Sequence, residues 1–239
     1  KLINIYASFS LLIVSSYLSP EIGIISLIFL YESFKKLTKK EFIILLIFNI
    51  IASIPFVLFL NFYLSFKPQY TNDIHINLVN NLPYFFSSIL VYTIPFILVR
   101  LKLYFKFVTD KFYILLFCFI FFYILNLQTN IDIGGGGIYS ILKKINFEEI
   151  LFIFSGIGIF NLIFLLEKKT YNIFVLCIFI IQTCVNFYFF QKYLDIYWII
   201  YFIFFLKIKN LSSYLNNQNF KALIILIYCS MFLTNIIMH

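Results

Sequence analysis

Few side chains in this sequence suit chemistry, and those that do fall in three polar segments between long apolar runs. One segment holds Asp73 and His75, which are spaced so that they could act as a base and its orienting partner. Another holds Lys192 and Tyr193, a cation suited to a phosphate and a ring suited to a sugar. A solvated loop remains the alternative for the first pair. An interfacial lysine beside an aromatic belt remains the alternative for the second.

The remaining segment, Gln128 to Lys144, is the longest polar interruption in the second half of the chain. It contains four consecutive glycines, Gly134, Gly135, Gly136 and Gly137, which would let backbone N–H groups approach an anion closely. Lys143 and Lys144 follow and would place positive charge beside a lipid phosphate. A flexible linker between two membrane spans explains the glycines equally well.

Several catalytic signatures are absent from the sequence. It has no phosphate-binding loop, no dinucleotide fingerprint, no zinc-protease motif and no nucleophile elbow. With only two histidines, a histidine-based metal site or a Ser-His-Asp triad is not expected in this stretch. Gln182 and Asn186, four apart, are the most polar pair inside an apolar run, and hydrogen bonding between helices is the favoured role for them.

The composition predicts a membrane protein. Hydrophobic residues make up 63% of the chain and charged residues 12%, against roughly 45–50% and about 25% in soluble domains. The length allows about eight or nine helical spans of ~20 residues. We therefore predict an all-α, polytopic transmembrane helical bundle in which residues 1–239 form a single transmembrane domain.

The predicted spans follow the apolar runs, and the first two are short enough that residues 1–34 could form either one span or two. Pro55 should kink the third span. Gly156 and Gly158 should allow close helix approach in the sixth span. The predicted spans are Leu2–Leu18, Ile22–Tyr31, Phe42–Phe66, Pro83–Val99, Phe112–Leu127, Ile150–Leu166, Ile173–Phe190, Ile196–Leu206 and Ala222–Met238.

The positive charges are distributed unevenly between the loops. Segments 35–40, 100–111, 168–169 and 207–221 hold thirteen of the eighteen Lys and Arg residues, whereas segments 67–82, 128–147 and 191–195 hold four. The positive-inside rule places the first set in the cytoplasm and the three polar segments on the opposite side. This bias explains the net charge of +8 without nucleic acid as a partner. The expected location is a bacterial inner membrane, or the endoplasmic reticulum membrane in a eukaryote.

The order of some of these features resembles a known enzyme family. Ile54-Pro55-Phe56 is similar to a kinked Leu-Pro span, and it is followed by an outer loop with Asp73 and His75. Leu82-Pro83-Tyr84-Phe85-Phe86 resembles a Phe-Pro-Gln-Leu-Phe-Tyr-Phe-Phe helix start. These features are similar to the C-terminal half of polytopic GT-C glycosyltransferases. The nearest resemblance is to the alpha-1,2-glucosyltransferases that add the last glucose to the dolichol-linked oligosaccharide, and to their bacterial relatives.

Two further positions carry the resemblance. Asp132 and Tyr139 match the spacing of an outer Asp-Asn-Arg-His-Tyr-Thr-Phe-Tyr motif, in which Gly134 and Gly135 stand where the family has Arg and His. Lys192-Tyr193 is similar to an Arg-Tyr pair that follows a long apolar run. The resemblance extends from about residue 40 to residue 210.

This resemblance implies a transferase that uses a polyprenyl-phosphate-linked sugar and a glycan or lipid-linked acceptor, with membrane lipids around it. It implies inverting displacement, with a divalent metal in many members. The family's acidic catalytic residue lies in an N-terminal outer loop, so we expect this sequence to be the C-terminal part of a longer chain and assign it no catalytic residue. The alternative is a transporter or flippase of lipid-linked sugars, or another non-catalytic membrane protein.

Overall fold

The computed structural model describes residues 2–18, 23–66, 78–128, 137–184, 197–198 and 200–225, and the helices in these residues follow the apolar runs. A 3₁₀ turn at Glu148–Ile150 precedes α8, and a π-helical turn at Tyr201–Phe205 follows α9. The helices are α1 (Leu2–Leu18), α2 (Ser26–Lys36), α3 (Lys39–Phe66), α4 (Leu78–Val99), α5 (Leu101–Asp110), α6 (Phe112–Gln128), α7 (Gly137–Lys144), α8 (Leu151–Leu165), α9 (Thr170–Cys184) and α10 (Leu211–Leu215).

The described residues form an all-α structure, as the sequence predicts. Their only extended pairing is a single antiparallel bridge between Leu166 and Ile208. Within them, two helical segments are long and apolar enough to cross a membrane, Val79–Val99 and Glu148–Leu165. A third is obtained if Leu101–Asp110 and Phe112–Leu125, which meet at 79°, are counted as one broken span.

The centre of the bundle is the contact between α4 and α8. A Cβ atom added to Gly158 of α8 would lie 1.9 Å from the backbone oxygen of Phe86 in α4, so the two backbones touch at this point. The Ser155 hydroxyl, on the same helix, donates a hydrogen bond of 2.7 Å to the Pro83 carbonyl. The structure thus confirms the close approach predicted from the glycines, because only a residue without a side chain fits there.

Three short helices, α5, α7 and α10, occupy segments predicted to be loops, and α10 lies within segment 207–221. α5 lies within the basic segment 100–111, and α7 lies within the glycine-rich segment. The loop prediction was wrong for α5 because the rings of Tyr104 and Phe107 pack on Phe164, at 5.4 and 5.3 Å between centroids, which holds the segment as an amphipathic helix. α4 also begins at Leu78, five residues earlier than predicted.

At one end of the bundle, the basic segments predicted to share a membrane side lie together. Arg100 donates a hydrogen bond to Ser213, which joins segments 100–111 and 207–221. The ammonium groups of Lys35 and Lys207 both lie over the ring of Tyr171, next to segment 168–169. These contacts place basic segments that share one predicted membrane side at one end of the bundle.

Candidate functional site

The glycine-rich segment leads into α7, which packs on the start of α4 through a pair of tyrosines. The rings of Tyr84 and Tyr139 meet edge to face, with 4.9 Å between their centroids. Both rings are buried, as is Leu142 one turn after Tyr139. Ile141, on the opposite face of α7, is exposed, and so is Lys143, which lies beside Tyr139 in the last turn. This amphipathic pattern fixes α7 against the bundle and leaves its basic last turn in contact with solvent.

Lys143 follows the glycine run by six residues in the sequence. Its Nζ atom lies 5.9 Å from the ring centroid of Tyr139, one helical turn earlier. An ammonium group within about 6 Å of a ring centroid is attracted to the face of the ring. Lys143 is therefore suited to contact a phosphate that approaches this end of the molecule.

The start of α4 also holds the end of α9. The side-chain amide of Asn81 donates a hydrogen bond of 2.9 Å to the carbonyl oxygen of Cys184, the last residue of α9. Asn81 is buried, and its amide donates to a backbone carbonyl of another helix. The contact ties the two helix ends together across a sequence separation of about one hundred residues.

These contacts bring together the helix ends that flank the three polar segments. The segment with Asp73 and His75 precedes α4, the glycine-rich segment precedes α7, and the turn with Lys192 follows α9. The described helix residues nearest to the three polar segments therefore lie at one end of the bundle.

Of the residues predicted from the sequence to form the site, three lie in α7, where Gly137 is the first residue, Tyr139 is buried and Lys143 is exposed. Eight lie outside the described residues, so the structure does not place them. These are Asp73, His75, Asp132, Gly134, Gly135, Gly136, Lys192 and Tyr193.

Near the contact of α4 with α9, Gln182 and Tyr201 form a buried polar niche that was predicted only in part. The Tyr201 hydroxyl donates a hydrogen bond of 2.5 Å to Oε1 of Gln182, and Gln182 is 2% exposed. Within the described residues, Nε2 of Gln182 and Oγ of Ser88 have no hydrogen-bond partner. The Gln182 amide was predicted to bond between helices, and it does so with Tyr201; the predicted pair member Asn186 lies outside the described residues.

Aromatic rings surround this niche. Phe179 of α9 stacks on Tyr201 at 4.3 Å and meets Phe85 of α4 edge to face at 5.0 Å. Trp198 stacks on Tyr92 at 5.4 Å. Ser88 lies seven residues, or roughly 10 Å, along α4 from Asn81. Buried donors and hydroxyls without partners are uncommon in folded proteins, so Gln182 and Ser88 each have hydrogen-bonding capacity that the described residues do not use.

The described residues contain no group of three or more His, Cys, Asp and Glu side chains that could hold a metal ion. The divalent metal implied by the resemblance therefore has no ligand set among them, and we assign it none. Searches against protein-family models, curated proteins and solved structures find no match for this chain.

Proposed function

We propose that this chain is part of a multi-pass membrane glycosyltransferase that takes sugar from a polyprenyl-phosphate-linked donor on the non-cytoplasmic side. In this proposal the whole bundle has about eight or nine spans, of which the described residues contain two or three. The membrane is a bacterial inner membrane, or the endoplasmic reticulum membrane in a eukaryote. The acceptor is a glycan or a lipid-linked saccharide.

The observation that carries the proposal is the meeting of helix ends at the start of α4. Tyr84 packs on Tyr139, and Asn81 holds the end of α9. The three polar segments with the donor-binding candidates are attached to these ends. A lipid-linked sugar phosphate presents an anion at the membrane surface and hydroxyls beside it. Such a ligand needs a cation, polar groups and aromatic surface near one another.

Lys143 has the clearest role in this arrangement. Tyr139 and Leu142 anchor α7 on the bundle, and the exposed ammonium of Lys143 would contact the donor phosphate. The proposal assigns donor binding to Asp73, His75, Asp132, the four glycines, Lys192 and Tyr193 only as an expectation from sequence. It assigns no catalytic residue, because the resemblance places the acidic one in an N-terminal outer loop.

The test is a transfer assay with membranes that contain the full reading frame. Radiolabelled hexose on a polyprenyl phosphate is supplied, and its transfer to lipid-linked or glycan acceptors is followed. Lys143→Ala should raise the KM for the donor about tenfold, since a hydrogen bond to a charged group contributes about 1.5–3 kcal/mol. Lys106→Ala removes an exposed lysine of α5 at the opposite end of the bundle and should leave the KM unchanged.

One result would reject the proposed activity, and another would reject the role given to Lys143. If the full protein moves labelled donor across the membrane without transferring its sugar, the transporter alternative is correct. If transfer occurs but Lys143→Ala and Lys106→Ala behave alike, α7 does not contact the donor.

A further inference from the structure

Two lysines from distant parts of the chain meet at one tyrosine ring, at the end of the bundle opposite the candidate site. Nζ of Lys35, in the last turn of α2, lies 4.1 Å from the ring centroid of Tyr31 and 5.6 Å from that of Tyr171. Nζ of Lys207 lies 4.5 Å from the centroid of Tyr171. The Tyr31 ring stacks on Tyr171 at 5.8 Å, so α2, α9 and the segment after the π-turn converge there.

Lys207 is held in place by a buried side chain. Oδ1 of Asn172 accepts a hydrogen bond of 2.8 Å from the Lys207 backbone nitrogen, and Nδ2 donates one of 3.0 Å to the Lys207 carbonyl. Nδ2 also donates to the Glu167 carbonyl at 2.8 Å. Asn172 is only 2% exposed. The side chain of an exposed lysine usually moves freely. Here both the N–H and the C=O group of Lys207 are hydrogen-bonded to Asn172, so less conformational freedom is lost when the ammonium group binds an anion.

The nearby carboxylates are engaged by other lysines. Glu32 forms an ion pair of 3.2 Å with Lys36, and Glu167 forms one with Lys169. Within the described residues, neither Lys35 nor Lys207 forms an ion pair.

Other lysines of the same basic segments also lie close to one another. Lys209, which donates a hydrogen bond to the Phe164 carbonyl, has a lowered pKa because of burial and then because of the neighbouring charge of Lys168. Two ammonium groups at one ring repel each other. An anion that contacts both would remove that repulsion and form two charge-assisted hydrogen bonds.

The surroundings indicate what kind of anion this is. The lysines lie at the ends of apolar helices, in the set of segments that charge bias assigns to the cytoplasmic surface. The side chains of Phe34 and Ile173, next to Lys35 and Asn172 in sequence, are apolar and exposed. Basic groups between helices at the cytoplasmic surface are suited to anionic lipid headgroups. We propose that Lys35 and Lys207 bind the phosphate of an anionic phospholipid of the cytoplasmic leaflet, beside the ring of Tyr171.

The test compares lipid binding by the whole chain and its variants in nanodiscs. Spin-labelled phosphatidylglycerol and phosphatidylcholine are added, and the fraction immobilised on the protein gives the preference for the anionic lipid. In K35Q/K207Q the preference should fall about fivefold for each lysine removed, the equivalent of the about 1 kcal/mol that one basic residue contributes near an anionic surface. K39Q/K40Q removes the same charge from exposed lysines at the start of α3 and should keep most of the preference.

Three results would overturn the proposal. The preference could survive in K35Q/K207Q, which would show that these lysines do not bind the headgroup. It could fall equally in K39Q/K40Q, which would indicate diffuse surface charge instead of a site. Displacement of the spin-labelled lipid by low millimolar inorganic phosphate would identify a site for soluble anions. Circular dichroism checks that both double variants keep their helices, and glutamine at exposed positions should not disturb them.

Discussion

At the scale of single residues, the contact between α4 and α8 depends on the missing side chain of Gly158. In Gly158→Ala the new methyl would meet the Phe86 backbone, which cannot move without separating the helices. Overpacking of this kind costs about 1–3 kcal/mol. Gly156→Ala is the matched control, because its methyl would first meet the ring of Phe119 at 2.4 Å, a side chain that can rotate.

Thermal unfolding in detergent measures this difference. We expect Gly158→Ala to lower the Tm clearly more than Gly156→Ala does. Equal losses, or a larger loss at Gly156, would show that the backbones do not touch at Gly158.

Asn172 is a second residue on which the stability of the fold depends, because it joins two backbone segments. Its side chain makes three hydrogen bonds to backbone groups of Lys207 and Glu167. Asn172→Ala would leave these groups without their partners in a buried place, at a cost of about 1–3 kcal/mol. Asn216→Ala changes an exposed asparagine and should stay within about 0.5 kcal/mol of the parent protein. Denaturant unfolding of the two variants side by side would contradict this account if their stabilities were the same.

At the scale of elements, α5 has the features of a helix that lies at the membrane surface. Its inner face is joined to the bundle by the Tyr104 hydroxyl, which donates to Oδ1 of Asn161 at 2.7 Å, while Nδ2 of Asn161 donates to Thr93 at 2.9 Å. The opposite side carries exposed charge, and Leu101 and Phe105 are exposed apolar residues between the two faces. The bend of 79° to α6 suits a helix in the interface plane.

Nitroxide labels placed one at a time from residue 102 to residue 109 would measure this orientation. Collisions with oxygen should be frequent at Phe105, and collisions with a water-soluble nickel reagent should be frequent at Lys106 and Thr109. Both should be low at Tyr104, which is packed on Asn161. Low nickel access at all eight positions would instead place α5 inside the membrane as part of a straight span.

At the scale of the whole molecule, the sequence predicted the parts that depend on composition. The apolar runs predicted helices, and the contacts of Arg100 with Ser213 and of Lys35 with Tyr171 join segments that charge bias assigned to one membrane side. α5 could not be predicted in this way, since a short basic segment becomes helical here through contacts with α8 that are more than fifty residues away. The sequence predicted that Gln182 would form a hydrogen bond between helices. It did not predict the partner, because nothing in the apolar run around Tyr201 indicates a role for its hydroxyl.

The candidate site was predicted less completely than the fold. Tyr139 was selected from the family resemblance and Lys143 from its charge, but the packing of Tyr139 on Tyr84 could not be predicted from sequence spacing. Most of the other candidates lie outside the described residues, and their assignment remains a prediction. The fold shows in addition that the start of α4 contacts both α7 and α9.

The orientation of the bundle gives the last prediction, because the proposed donor site and the proposed lipid site require opposite membrane sides. α8 and its preceding turn form one of the two candidate spans, Glu148–Leu165. Single cysteines at Glu149 and Lys168, both exposed positions flanking this span, report its two ends. The background has Cys118, Cys177, Cys184 and Cys229 replaced by alanine, and intact cells are treated with a membrane-impermeant maleimide before and after permeabilisation. We expect Glu149→Cys to react in intact cells and Lys168→Cys to react only after permeabilisation. The reverse result would put the glycine-rich segment in the cytoplasm and would remove the basis for a donor site on the other side. Equal reaction of both cysteines in intact cells would show that Glu148–Leu165 does not cross the membrane.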